Sequence, residues 1–322
     1  MRAIVHDTYG GPDVLRLADR EPPTAGEGEV LVRVQAAGLD RGTLHLLHGL
    51  PLLVRPVFGL RGPRNPVPGL DLAGVVQAIG PGVTRFRAGD RVFGVGRGTW
   101  AELAVARERK LAHLPASASP EQAAALAISG MTALQALRDH AEVQLGQRVL
   151  VTGASGGVGS YALQIAVHMG AEVTGVASTT KLDLIRDLGA AHVVDYTRDD
   201  PLAVDRPYDV ILDIAGSASL RRLRRALTPR GTVVLVGGEG GGRVLGGTDR
   251  LLRALVWSPF LRQRLRGFVS AERHEDMMAL AELIDAGAVT PAVDRTFPLA
   301  DAAKAVRYVE EGHARGKVVV VT

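Results

Sequence analysis

The chain has 322 residues, 46% hydrophobic and 22% charged, enough for two domains that each bury a core. It contains no cysteine, which excludes disulfides, thiolate catalysis and cysteine-ligated zinc and points to a reducing compartment. A formal net charge of +4 with only 4% aromatic residues supplies little base stacking. The arginine clusters at 221, 222, 224 and 225 and at 250, 253, 262, 264 and 266 therefore read as solvated helix faces, and no nucleic-acid partner is expected.

The first residues, Met1-Arg2-Ala3-Ile4-Val5, show no signal-peptide pattern, so a cytoplasmic location is expected. Residues 1–118 read as β-rich. Alternation is visible over 29–35, and turns recur at Gly10-Gly11-Pro12, Gly26-Glu27-Gly28, Gly80-Pro81-Gly82 and Gly89-Asp90. Short strands with regular turns predict a small barrel. Residues 49–68, with prolines at 51, 56, 63, 66 and 68, predict a long loop, either functional or a lid over the barrel. Its leucines, valines and Phe58 would suit an apolar ligand.

Ser119-Pro120-Glu121 has the N-cap serine, N1 proline and early acid of a helix start, and helical periodicity continues over 123–127 and 132–140. Strand and helix then alternate. Strands are predicted at 149–151, 172–177, 192–196, 209–214 and 232–236, with helices at 158–169, 181–188 and 218–227. This pattern predicts an α/β fold with a doubly wound parallel sheet. After a glycine run at 237–242 come a basic helical stretch, a strand at 266–270, helices at 275–285 and 299–311, and a strand at 317–320. The apolar stretch 251–261 is broken by Arg253 and Pro259 and is too short to span a bilayer. The expected domains are 1–118, 119–272, and a segment 273–322 returning to the first.

The stretch VLVTGASGGVGS (149–160) organises the chain. A buried strand stops at Gly153, and Gly156 and Gly159 complete a G-x-x-G-x-x-G turn into a helix. Strand, glycine turn and helix start are the parts of a diphosphate cradle, although such turns also serve plain packing. In a dinucleotide fold, the end of the second strand faces the adenosine ribose, where an acid selects NAD. Here that end is Ser178-Thr179-Thr180-Lys181, with no acid at the tip, which favours NADPH. Ser178 and Lys181 are the candidate phosphate ligands. Lys181 could instead solvate the next helix, yet a lysine at a helix start is unfavourable by a few tenths of a kcal/mol, at roughly that magnitude, unless an anion is near.

With these motifs assembled, the chain resembles the medium-chain dehydrogenase/reductase superfamily, in its zinc-free quinone-oxidoreductase-like branch. The resemblance rests on NPVPGLDLAGVVQAIGPGVTRFRAGDRVFG (65–94), AALAISGMTALQAL (124–137), VLVTGASGGVGS, HVVDY (192–196), RTFPLADAAKAV (295–306) and ARGKVVV (314–320). It implies a GroES-like barrel, a Rossmann domain, a cleft between them, and a homodimer built by Rossmann edge strands near 266–270. It implies that Ser155, Gly156, Gly157 and Val158 cradle the diphosphate, and that Ser178, Lys181 and Tyr196 surround the 2′-phosphate and adenosine. It further implies that Thr132 approaches the nicotinamide, that Gly216, Gly237 and Gly238 line the ribose and nicotinamide, and that Lys317 neighbours the cofactor phosphates. Tyr196 could alternatively do no more than close its strand.

Zinc-dependent relatives place a ligand cysteine after the Ala36-Ala37-Gly38 run, where this chain has Asp40, and a ligand histidine where it has Leu70. A site drawn from Asp40, His45 and His48 lacks a further ligand, so no metal is expected. Without a Lewis acid, hydride transfer to a quinone or an α,β-unsaturated carbonyl is favoured over plain alcohol oxidation. Asp40, Thr43 and His45 are the candidate catalytic residues. Thr43 and His45 would donate to the developing oxyanion, with His45 as proton source. Asp40 would donate a proton if buried and protonated, or else cap the turn at Gly42-Thr43. Open alternatives are a dedicated ene-reductase or reductive cyclase, a non-catalytic NADPH sensor or RNA-binding protein, and a zinc alcohol dehydrogenase.

Overall fold

The computed structural model describes residues 1–237 and 242–322. Strands β1 (Arg2–Val5), β2 (Arg16–Asp19) and β3 (Glu29–Leu39) lead into helix α1 (Arg41–His48) and a single turn, α2 (Arg55–Phe58). Then come β4 (Asp71–Ile79), β5 (Arg91–Val95), β6 (Leu103–Arg107), β7 (Leu111–His113) and α3 (Pro120–Gln135). Next follow β8 (Arg148–Thr152), α4 (Gly157–His168), β9 (Glu172–Ala177), α5 (Leu182–Asp187), β10 (His192–Asp195), β11 (Tyr208–Asp213), α6 (Leu220–Arg225) and β12 (Leu227–Leu235). The chain ends with α7 (Thr248–Trp257), β13 (Arg264–Gly267), α8 (His274–Asp285), β14 (Val293–Pro298), α9 (Ala302–Glu310) and β15 (Lys317–Val321). No helix among the described residues is long and apolar enough to cross a membrane.

Packing divides the chain into two units, and the first holds residues 1–131, 272–287 and 291–322. Its larger sheet runs β14-β15-β3-β4-β5-β7, with β6 also paired to β3. The long strand β3 organises this unit. Register shifts at Leu31/Val32 and at Val34/Ala36 bend it, so its first half pairs with β6 and its last four residues with β15. Val30, Val32, Val34 and Leu39 of β3 join Leu72, Val92, Trp100, Leu111, Val318 and Val320 in one core. The expected loop over 49–68 holds helical turns at Leu52–Val54 and Arg55–Phe58. Helix α3 begins with the predicted cap. Gln122 N donates to Ser119 Oγ at 3.3 Å and Ser119 N donates to Gln122 Oε1 at 2.9 Å, a reciprocal box that satisfies two orphan donors. Its last predicted turn winds as a π-helix over Ala136–Ala141.

The second unit holds residues 132–271 and 288–290. Its six strands are all parallel in the order β10-β9-β8-β11-β12-β13, the Rossmann order. Side chains alternate faces along each strand, so residues in register share one. Leu150, Ile211, Val233 and Leu265 form such a row and bury it against Leu220 and Leu223 of α6 and Ala254 of α7. On the opposite face, Gly175 beside Val151 lies under Leu163 of α4 and Ile185 of α5. Apolar burial of about 1.5–3 kcal/mol per side chain on both faces is what holds helices there. The edge strand predicted at 266–270 starts earlier, at Arg264, because pairing with β12 sets its register from Thr232↔Arg264 to Leu235↔Gly267.

Candidate active site

The glycine turn between β8 and α4 forms as its spacing predicts. Strand β8 ends at Thr152, and Gly153 turns the chain with φ +66°, a left-handed value that favours glycine. Gly156 N donates to Gly153 O at 3.0 Å, and Gly156 stands as N-cap of α4 with no side-chain cap. A Cβ on Gly159 would lie 2.1 Å from Gly153 O, so the third glycine is what lets helix and strand meet. Gly156, Gly157 and Val158 are partly exposed at this helix start, while Ser155 is buried beneath them. An uncapped helix N-terminus with an open backbone edge fits a diphosphate.

At the end of β9, Ser178 is half-buried and Thr179 is exposed, with Lys181 in the turn that follows. Tyr196 N donates to Ala177 O at 3.2 Å, which sets the tyrosine beside this strand end with 61% of its surface exposed. Gly216 and Gly237 lie at the ends of β11 and β12. A Cβ on Gly237 would come 1.9 Å from Ile214 O, so only glycine permits this approach. The expected 155–158, 178–181, 196, 216 and 237 positions thus collect at the carboxyl ends of the parallel strands, around the reversal in strand order between β8 and β11. Gly238 lies outside the described residues. Thr132 is half-buried within α3.

A network that no local motif signals fixes this crevice. Thr152 Oγ1 donates to Asp213 Oδ1 at 3.1 Å and accepts Ile214 N at 3.0 Å and Ala215 N at 3.2 Å. Arg250, from α7, pairs with buried Asp213 and donates to Gly216 O at 2.6 Å and Ala218 O at 2.8 Å. The 213–218 loop is therefore held by an arginine that no local motif ties to it.

In the first unit, Asp40 is the N-cap of α1 and accepts Thr43 N at 2.6 Å through Oδ1. Its Oδ2 and the Thr43 hydroxyl are both buried with no hydrogen-bond partner. His45 is exposed on the same helix. Two residues of helix separate it from Thr43 by about 200°, so the structure does not bring these two side chains to one oxygen, and the expectation that both donate to it is corrected. His48 is engaged by Glu310 at 2.6 Å. The 49–62 segment is pinned by Arg55, which stacks 4.6 Å from the Tyr9 ring centroid and donates to Gly49 O, and by Tyr9 OH donating to Gly59 O. It presents Leu53 at 56%, Val57 at 63% and Leu60 at 69% exposure.

Lys317 corrects another expectation. It is buried in the first unit, where Nζ donates to Asp71 Oδ2 at 3.1 Å and Ser129 Oγ at 3.2 Å, and Asp71 Oδ1 accepts Ile128 N at 3.0 Å. An ammonium committed in this way leaves the cofactor set. Burial raises the Asp71 carboxyl to about 6, with Lys317 opposing the rise and the Asp40 charge adding to it.

Two family models match the chain: the alcohol dehydrogenase GroES-like domain over residues 26–116 and the zinc-binding dehydrogenase family over 188–320. A chloroplastic quinone-oxidoreductase QR1 of Triphysaria versicolor is 32% identical over 334 residues, covering 99% of this chain and 98% of the relative. A chloroplastic NADPH-dependent alkenal/one oxidoreductase of Arabidopsis thaliana is 32% identical, covering 99% and 79%. The structure of a quinone oxidoreductase from Coxiella burnetii superposes with a TM-score of 0.85 at 28% identity, covering 100% and 99%. The chain belongs to the medium-chain dehydrogenase/reductase superfamily. It falls in the quinone-oxidoreductase-like branch, and it is an oxidoreductase using a nicotinamide cofactor.

Zinc chemistry in this superfamily needs donors that this chain does not gather. Leu70 cannot ligate, Asp40 spends one oxygen as a helix cap, and His48 is paired with Glu310. Among the described residues, no group of three or more His, Cys, Asp or Glu side chains could hold a metal ion. The residues present at this place do not fit zinc.

Proposed function

We propose that this member of the superfamily uses NADPH to reduce a quinone or the activated C=C of an α,β-unsaturated carbonyl, without a metal. The observation that carries the reading is the first turn of α1. It holds two sealed, unpartnered oxygens, Asp40 Oδ2 and Thr43 Oγ1, where a dehydrogenase of this superfamily would need metal donors. Buried polar atoms are nearly always partnered, and a substrate oxygen that reached this turn would supply the missing partner.

NADPH, when bound, supplies the hydride. Gly156, Gly157 and Val158 receive its diphosphate on the open helix start, and Ser178, Lys181 and Tyr196 receive the 2′-phosphate. Thr43 donates its hydroxyl hydrogen to the substrate oxygen, which gathers negative charge as the β-carbon takes the hydride. A proton from solvent then reaches the α-carbon of an enone; with a quinone it reaches the enolate oxygen, and loss of the sp3 ring C–H proton with protonation of the second oxygen completes the hydroquinone. Asp40 fixes the turn that carries Thr43 by accepting its N–H. His45, exposed on the other side of the helix, is not needed for this step. The exposed apolar side chains of 52–60 support an apolar substrate.

A homodimer through β13 belongs to the same reading. That strand ends its sheet with one edge unpaired among the described residues, and Val269 beside it is 88% exposed. Cytoplasmic residence remains part of the proposal. Product analysis tests the chemistry: an enone reduced with NADPH should give the saturated ketone, and an allylic alcohol would contradict the reading.

A further inference from the structure

The 2′ end of the nucleotide site carries a charge that motif reading passes over. Asp195 closes β10 in register with Ala177, the last residue of β9. The chain leaves β9 through Ser178 and Thr179, and Thr179 Oγ1 donates to Asp195 Oδ2. Thr197 donates to the other carboxylate oxygen twice, through N at 3.0 Å and through Oγ1 at 2.7 Å. The Thr179 hydrogen bond, followed by those from Thr197, holds the Asp195 carboxyl below the usual range, so it stays ionised. The cation facing it is Arg198, whose Nε lies 3.7 Å away on a side chain 73% exposed, where water and salt screen it.

An acid that favours NADH ordinarily stands at the tip of the second strand. Here that tip has none, and the neighbouring strand supplies one a single hydroxyl away. The direction of the Thr179 bond matters. Its hydrogen is committed to Asp195, and the Thr197 hydroxyl 3.4 Å away is itself committed to the same carboxylate, so the Thr179 oxygen has only lone pairs left to offer. A ribose 2′-hydroxyl can donate to such an oxygen, whereas a 2′-phosphate meets acceptor against acceptor and, behind it, a fixed negative charge.

We infer that Asp195, acting through Thr179, is a specificity-determining residue of the nicotinamide site, restraining the preference for NADPH and keeping NADH within the usable range. The inference rests on the proposed 2′-phosphate roles of Ser178, Lys181 and Tyr196. Asp195→Asn keeps the shape, removes the charge, and turns a donor toward Thr179, which frees its hydrogen for the phosphate.

The test is the affinity of the full-length wild type and Asp195→Asn for NADPH and for NADH, followed by nucleotide fluorescence at low and high salt. The NADPH:NADH affinity ratio should rise about tenfold in the variant at low salt. The gain should shrink as salt is added, because it is electrostatic. A ratio that stays constant or falls overturns the inference, and so does a gain indifferent to salt, which would mark a packing effect. Should Asp195→Asn not fold, Thr179→Val deletes the accepting oxygen and must weaken NADH more than NADPH; equal weakening overturns the inference. A wild type that binds neither nucleotide is a different failure, ending the cofactor reading itself.

Discussion

Lys317 Nζ donates to Asp71 Oδ2 at 3.1 Å across 246 positions of sequence, with both side chains sealed from solvent. The pair joins β15 to the start of β4, and Ser129 and Ile128 of α3 complete it. Removing one member leaves a buried charge alone. Lys317→Met should therefore lose about 3–5 kcal/mol at neutral pH, and Asp71→Leu/Lys317→Met should recover most of it. Denaturant unfolding of the three variants measures this, and an additive double mutant would contradict it.

Asp71 also gives a pH signature. Its folded pKa of about 6 lies above the ordinary value of 3.8, so the fold favours the protonated form. Stability from this group is fully present below pH 3.8 and is lost as pH rises through about 6. Over that window, wild type should lose roughly 3 kcal/mol relative to Asp71→Asn, whose side chain cannot ionise. A difference that stays flat with pH would remove the argument.

Thr43→Val should separate stability from activity. Valine has the shape of threonine without the buried, unpartnered hydroxyl, so unfolding should be unchanged or about 1 kcal/mol more costly. The turnover number should fall about a hundredfold if the hydroxyl holds the developing oxyanion. Full activity in a folded variant would exclude Thr43.

The two cradle glycines should respond differently to alanine. At Gly159 the new Cβ would sit 2.1 Å from Gly153 O, so Gly159→Ala should lower the unfolding temperature and abolish nucleotide binding together. At Gly156 the nearest atom is 3.3 Å away, so Gly156→Ala should fold and bind the nucleotide more weakly. Thermal unfolding beside fluorescence titration distinguishes them; equal melting temperatures would contradict the packing role of Gly159.

The exposed side chains of the 49–62 segment predict a substrate effect without a folding effect. Val57→Ser and Leu60→Ser alter side chains that are 63% and 69% exposed, so unfolding should shift by less than about 0.5 kcal/mol. The KM for an apolar quinone should rise while that for a small polar enone holds. Equal KM changes for both would separate this segment from substrate choice.

What sequence could reveal was local. The cradle was legible because strand, glycine spacing and helix start are contiguous, and the α3 cap because Ser119 and Gln122 lie three apart. The Asp40 cap was one of two readings, and only backbone geometry separates them. Pairings that close over distance carry no such mark. Nothing near Asp213 announces Arg250, and nothing near Lys317 announces Asp71. Strand β14 escaped notice because its Val-Asp-Arg-Thr-Phe-Pro run is mostly half-buried or exposed and shows no apolar alternation, its pairing being set by β15. Asp195 carries no such mark because Thr179, the partner that links it to the end of β9, lies 16 residues away on the neighbouring strand end, while Thr197 ties it only to its own turn.

The central claim is tested most directly by following the loss of NADPH absorbance with a panel of quinones and enones, with NADH in parallel and EDTA added. The account predicts turnover that chelation leaves unchanged and that is weaker, though still measurable, with NADH. Loss of activity with EDTA, or NADPH bound without turnover of any member of the panel, would contradict it.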